Sequence, residues 1–171
     1  MLCIATTRFN TETYEENAAW REKHKYKGCV YGLMKPISTI SISLESYIFV
    51  LEMNNDINEI MGIGLIQNMI DPKENIPIYS NPNYCCFSYF SPYRVDKLEL
   101  TERELILIRI LEILVFKGAT HMKRGQGITR IPEKILLRGK MNLLEELCVI
   151  FKKKYNTITF NNESIEIRHS T

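Results

Sequence analysis

The chain has 171 residues, 45% hydrophobic and 25% charged, with 22 basic and 20 acidic side chains. That length supports one core and is too short for two comfortable domains. The opening MLCIATTRFNTETYEE has neither the basic start nor the apolar run of a secretory leader. The most apolar run, LILIRILEILVF, is broken by Arg109 and Glu112, well short of the roughly 20 residues a membrane span needs. The expectation is an intracellular protein without a membrane segment.

In chain order, CIATTRF reads as a first strand and Thr11 to about Lys23 as a helix carrying Trp20, the single tryptophan. Trp20 either pins that helix to the core or walls a pocket in which a flat base stacks. CVYGLM, PISTISIS (Pro36–Ser43), SYIFVLEM and EIMGIGLIQN are strand-like in composition and alternation. Asn54 to Asn58 supplies turn chemistry, so Tyr47–Met53 and Ile60–Gln67 are expected as a hairpin. Gly62 and Gly64 fall on one strand face, where something can approach closely, either a bend of a closed sheet or a ligand.

Asp71 to Pro92 contains Pro72, Pro77, Pro82 and Pro92, which exclude a long regular element. Yet Tyr79, Tyr84, Phe87, Tyr89, Phe90 and Tyr93 crowd it, so part of it must pack inward or face a partner. YRVDKLEL alternates as a further strand. Thr101 to Glu104 is a capping box that opens a helix over about 102–117, apolar on most of its circumference and therefore expected to be largely buried, with Gly118 ending it. Pro132 starts a short helix in PEKILLRG, Asn142 to Lys154 forms another, and TITFNNESIEIR reads as a hairpin turning at Asn161-Asn162. The class is α+β.

Charge is unevenly spread: residues 117–154 hold ten basic and three acidic side chains, an excess that attracts phosphates or acidic partners. Within it, HMKRGQGITRIP (His121–Pro132) combines Lys123, Arg124 and Arg130 with Gly125 and Gly127, whose backbone can aim successive amides into one anion-holding concavity. Gln126 and Thr129 can donate to phosphate oxygens or a base edge. The alternative is a solvated basic loop. Lys152 to Lys154 complement a helix dipole without any ligand.

Recognisable catalytic motifs are lacking. Cys3, Cys29, Cys85, Cys86 and Cys148 are odd in number with no C-x-x-C spacing, and His24, His121 and His169 are dispersed, so reduced thiols and no metal or other cofactor are expected. A Cys85 or Cys86 nucleophile with His121 as base, or a base role for Glu52, is the residual enzymatic reading.

CIATTRF, TYEENAAW, SYIFVLEM, a turn and EIMGIGLIQN, with a later Tyr93–Asp96 strand, resemble the PUA-like superfamily, particularly its EVE and YTH branches, over roughly residues 2–100. The resemblance implies a small PUA-like β-barrel with flanking helices over 1–100, and a helical extension ending in a hairpin over 101–171, packed on that core. It further implies non-catalytic binding of RNA or DNA, with a modified base in an aromatic pocket. Trp20 corresponds by position to a cage tryptophan, and Tyr84, Phe87 or Tyr89 would supply the other walls. The competing reading is a protein-interaction or virion-assembly component that uses segment 79–93 as an interface and the basic loop to dock an acidic protein. An enzyme on the same scaffold comes third.

Overall fold

In the computed structural model, which describes residues 1–69, 75–139, 141–160 and 165–167, YIFVLEMN and EIMGIGLIQ pair as their composition predicts. Strand β3 (Tyr47–Asn54) runs antiparallel to β4 (Glu59–Gln67), and Asn58 closes the turn at φ 56, a left-handed conformation that asparagine tolerates. On its other side β3 pairs parallel with β1 (Leu2–Phe9), which the helix α1 (Thr11–Lys23) follows directly. Arg94–Asp96 (β6) joins β4 antiparallel, and Thr129–Arg130 (β7) joins β1, giving the order β6-β4-β3-β1-β7. A separate antiparallel ribbon joins β2 (Cys29–Leu33) to β5 (Phe87–Ser91). The later chain adds α2 (Glu102–Phe116), α3 (Glu133–Leu136), α4 (Leu143–Lys154) and the pair β8 (Ile158–Phe160) with β9 (Ile165–Ile167).

The α+β class holds, but the sheet is open rather than the expected barrel. Its edge strands are too short to carry pairing further round. Asp96 ends β6 by capping a 3₁₀ turn, Lys97–Glu99, and Pro132 closely follows the two residues of β7. For the same reason the YRVDKLEL strand stops at Asp96.

Period-two alternation assigns the strand side chains to two cores, one on each face of the sheet. Ile4, Phe49, Leu51, Met53, Ile63 and Leu65 join α2 and α4 through Leu107, Leu111, Leu147 and Phe151. Cys3, Ala5, Ile48, Val50 and Ile66 face the β2–β5 ribbon and α1, with Val30, Tyr31 and Tyr89. Burying each large aliphatic or aromatic side chain contributes about 1.5–3 kcal/mol, which places the molecule's cohesion on both sides of β3.

Two further expectations are corrected. PISTISIS is a run of turns, because its serines bond locally instead of leaving the backbone to a ladder: Ser41 Oγ donates to Ser38 O at 3.1 Å, and Ile42 N reaches Ser38 O at 3.0 Å. Ile37 and Ile42 still anchor in the core, while Ile40 is 99% exposed. Helix α2 begins at the Thr101 capping box as expected, but only one side of it is covered, and Ile106 and Ile113 face solvent. The turn of the terminal hairpin at Asn161-Asn162, Asp71, Pro72 and His169 lie outside the described residues.

Candidate functional site

Where β1 ends and α1 begins, the chain opens a cleft of about 440 Å3. Its floor is the end of β1 (Thr7, Arg8) with Asn10 and Thr13 of the helix cap, one side is Leu33 to Pro36 with Tyr79 and Tyr84, and the other is Gly125 to Thr129. The helix start is well made: Asn10 Oδ1 accepts from Thr13 N at 2.8 Å, and Thr13 Oγ1 accepts from Asn10 N at 3.1 Å. The macrodipole adds partial positive charge there.

Arg8 dominates the floor. Its Nε donates to Met122 O at 2.5 Å, and its Nη1 donates to Gly127 O at 3.1 Å and Thr129 Oγ1 at 3.2 Å. All three acceptors are neutral, and none of the ion pairs among the described residues includes Arg8. Burial lowers its pKa, as for any cation drawn from water, yet an arginine stays charged. Lys35 is the second cation of the lining, and among the described residues no carboxylate, histidine or cysteine lines the cleft.

The 121–130 loop reaches this cleft through its backbone, not through its charges. Gly125 and Gly127 take φ 115 and 66, and both line the cleft with Gln126 and Thr129. Lys123, Arg124 and Arg130 do not line it. Lys123 Nζ donates to Asn58 Oδ1 at 2.7 Å, Arg130 pairs with Glu133 at 3.1 Å and donates to Ser41 O at 3.3 Å, and Arg124 is exposed.

The aromatic residues divide similarly. Tyr84 is 38% exposed and stands edge-on to Tyr79 in the cleft wall, centroids 6.3 Å apart at 85°. Asn17 Nδ2 steadies Tyr79 through its hydroxyl at 3.1 Å, and burial drives the Tyr79 pKa upward, so the phenol stays neutral. Tyr89 is buried with its hydroxyl accepting from Ile37 N at 3.0 Å, and Phe87 packs half-buried on the second core. Trp20 lies about 15 Å along the helix from Asn10, by the rise per residue. It is half-buried outside the cleft, stacked on His24 at 4.0 Å and flanked by Tyr26 and Phe90. No cage forms around it from Tyr84, Phe87 or Tyr89.

The glycine pair of β4 makes room for protein groups. A Cβ on Gly62 would meet Arg94 Nη2 at 2.6 Å and Glu52 Oε2 at 2.8 Å, and one on Gly64 would meet the Tyr31 hydroxyl and Cys29 Sγ. Glu52 and Arg94 form a buried bidentate pair, Nη2 to Oε2 2.7 Å and Nε to Oε1 3.0 Å, and Tyr31 donates to Glu52 Oε1 at 2.8 Å. Burial would lower the Arg94 pKa, but Glu52 more than reverses it. Burial pushes the Cys29 thiol up to about 12. Glu52 is thus occupied as an ion-pair partner and unavailable as a base. Cys85 is buried, with Sγ accepting from Tyr79 N at 3.5 Å, and neither Cys86 nor His121 lines the cleft.

Among the described residues no helix is long and apolar enough to cross a membrane, and no cluster of His, Cys, Asp or Glu is placed to hold a metal ion. No protein-family model matches the sequence, and no curated protein or solved structure matches it either.

Arg8 and Lys35 escaped the sequence reading. Both lie in the net-acidic part of the chain, and neither belongs to a basic cluster. The one sequence signal was position: Arg8 stands two residues before the Asn10 cap, at the strand-to-helix junction.

Proposed function

We propose that this protein binds a nucleic-acid strand, RNA or DNA, without acting on it chemically, and that the cleft at the end of β1 is where one nucleotide of that strand enters. The carrying observation is a concave site with two cations, no carboxylate and an exposed tyrosine in its wall. Phosphate requires the first two, and a stacked base the third. The exposed Arg124 and the surrounding basic segment add a field that draws a polyanion toward the mouth. With no histidine, thiol or carboxylate among the described residues of the lining, the site is suited to holding rather than to proton transfer. A modified base is a finer version of this reading, which here would rest on Tyr84 with the buried Tyr79 behind it rather than on a tryptophan cage.

The test is fluorescence anisotropy with single-stranded and duplex oligonucleotides at several salt concentrations. Single strands should bind with a log–log salt slope of about −0.7 per phosphate neutralised. Tyr84→Ala should weaken binding by about 1–3 kcal/mol, while Trp20→Ala leaves it within error. Salt-independent or undetectable binding to every oligonucleotide would sink the reading.

A further inference from the structure

We propose that Arg8 is a dedicated phosphate reader, and that the cleft holds a single nucleoside monophosphate unit with its phosphate on the Nη2 edge of Arg8 and its base against Tyr84. The base assignment rests on the nucleic-acid reading; the phosphate assignment stands on the geometry alone.

An arginine carries five N–H donors in a rigid plane. In Arg8 the Nε donor and both Nη1 donors are consumed by Met122 O, Gly127 O and Thr129 Oγ1, so the guanidinium is fixed before any ligand arrives. Among the described residues the two Nη2 donors have no partner, and they belong to a group that lines the cleft. Fixing a half-buried cation with neutral acceptors leaves its charge uncancelled, and an anion is the group that cancels it. Gly125, at φ 115, lies beside that edge: a Cβ there would rest in ordinary contact with Arg8 Nη2 at 3.4 Å. Lys35, exposed and in none of the ion pairs among the described residues, lines the same cleft and is the second cation assigned to the phosphate. The volume of about 440 Å3 falls in the usual small-ligand range of about 300–1,000 Å3, enough for one nucleotide and far too little for a duplex.

Calorimetric titration of the full chain with inorganic phosphate, adenosine 5′-monophosphate and adenosine tests this. The monophosphate should bind at least about tenfold tighter than the nucleoside, and phosphate should compete with it. Arg8→Gln and Lys35→Gln should each weaken monophosphate binding by about tenfold, and Lys35→Gln should leave adenosine binding unchanged. Arg8 also anchors the 122–129 backbone, so Lys35→Gln, which removes no ion pair among the described residues, is the variant that reports without a folding cost. Equal affinity for monophosphate and nucleoside, or wild-type monophosphate affinity in both variants, overturns the proposal. Oligonucleotide binding that persists while phosphate and monophosphate fail to bind also overturns it, leaving the broader function intact. Arg8-dependent monophosphate binding without oligonucleotide binding supports it and removes the strand reading instead.

Discussion

At the scale of single residues, the molecule contains two arginines with opposite electrostatic settings. Arg94, 4% exposed, is matched by Glu52 at 2.7 Å, whereas Arg8 is held by neutral oxygens. Removing one member of a buried pair strands the other charge, so Glu52→Gln should cost about 3–5 kcal/mol in urea unfolding. Asp96→Asn, at the half-open end of the same network with the Asp96 side chain 30% exposed, should cost under about 1 kcal/mol. Equal effects of the two substitutions would contradict the assigned burial. Neither arginine's setting was legible in the sequence. Whether an acidic residue on a strand is a base or an ion-pair partner depends on what lies across the sheet, and Arg94 is 42 positions from Glu52. Tyr84 stood in the sequence beside Phe87 and Tyr89 as equal candidates, and nothing in a loop of six aromatics says which one stays at the surface.

At the scale of elements, local rules read correctly where the chain satisfies itself locally. The Thr101 capping box starts α2, and the Asn-rich turn closes β3 onto β4. They failed where alternation alone was taken as a strand. In PISTISIS the Ser41 hydroxyl donates to Ser38 O within the turn, and Asn68 Nδ2 donates to Ile42 O at 2.8 Å, so these carbonyls need no neighbouring strand. The glycines of β4 are the element-level compromise: they weaken a strand so that the buried network fits beneath it. Gly64→Ala drives a methyl into Tyr31 and Cys29, which sit in a fully closed core, and should cost about 1–3 kcal/mol by thermal melting. A neutral or stabilising outcome would show that the ribbon β2–β5 can move away from the sheet.

At the scale of the whole molecule, carboxylate contacts brace α4 against α2 and against the turn that follows β6, and fix the end of β6 itself. Lys154 pairs with Glu99 beside β6, Lys153 with Glu104 of α2 at 3.1 Å, and Arg94 with Asp96 at 2.8 Å. Burial by itself would raise the pKa of Asp96, Glu99 and Glu104. The bonds from Arg94 to Asp96, from Lys154 to Glu99 and from the Thr101 amide to Glu104 outweigh it, and all three pKa values are lowered from ordinary values of 3.8 and 4.5. Groups with depressed folded values stabilise above the unfolded pKa, so this contribution is complete at neutral pH and drains away as pH falls below about 4. Urea midpoints should therefore be flat from about pH 7 to 5 and drop below about 4, less steeply in high salt because these partners are partly exposed. A midpoint unchanged between pH 6 and 3 would refute the coupling. By itself the sequence determined most of the element types, the Thr101 cap, the β3–β4 hairpin and the glycine-containing basic loop, because hydrogen bonds and capping between near neighbours are set by residues a few positions apart. Only the tertiary structure decided that the sheet stays open, that Trp20 lies outside the cleft, and that the cations of that cleft are Arg8 and Lys35. Those outcomes depend on which side chains meet across more than a hundred positions of chain, as Arg8 meets Met122, and periodicity carries no information at that range.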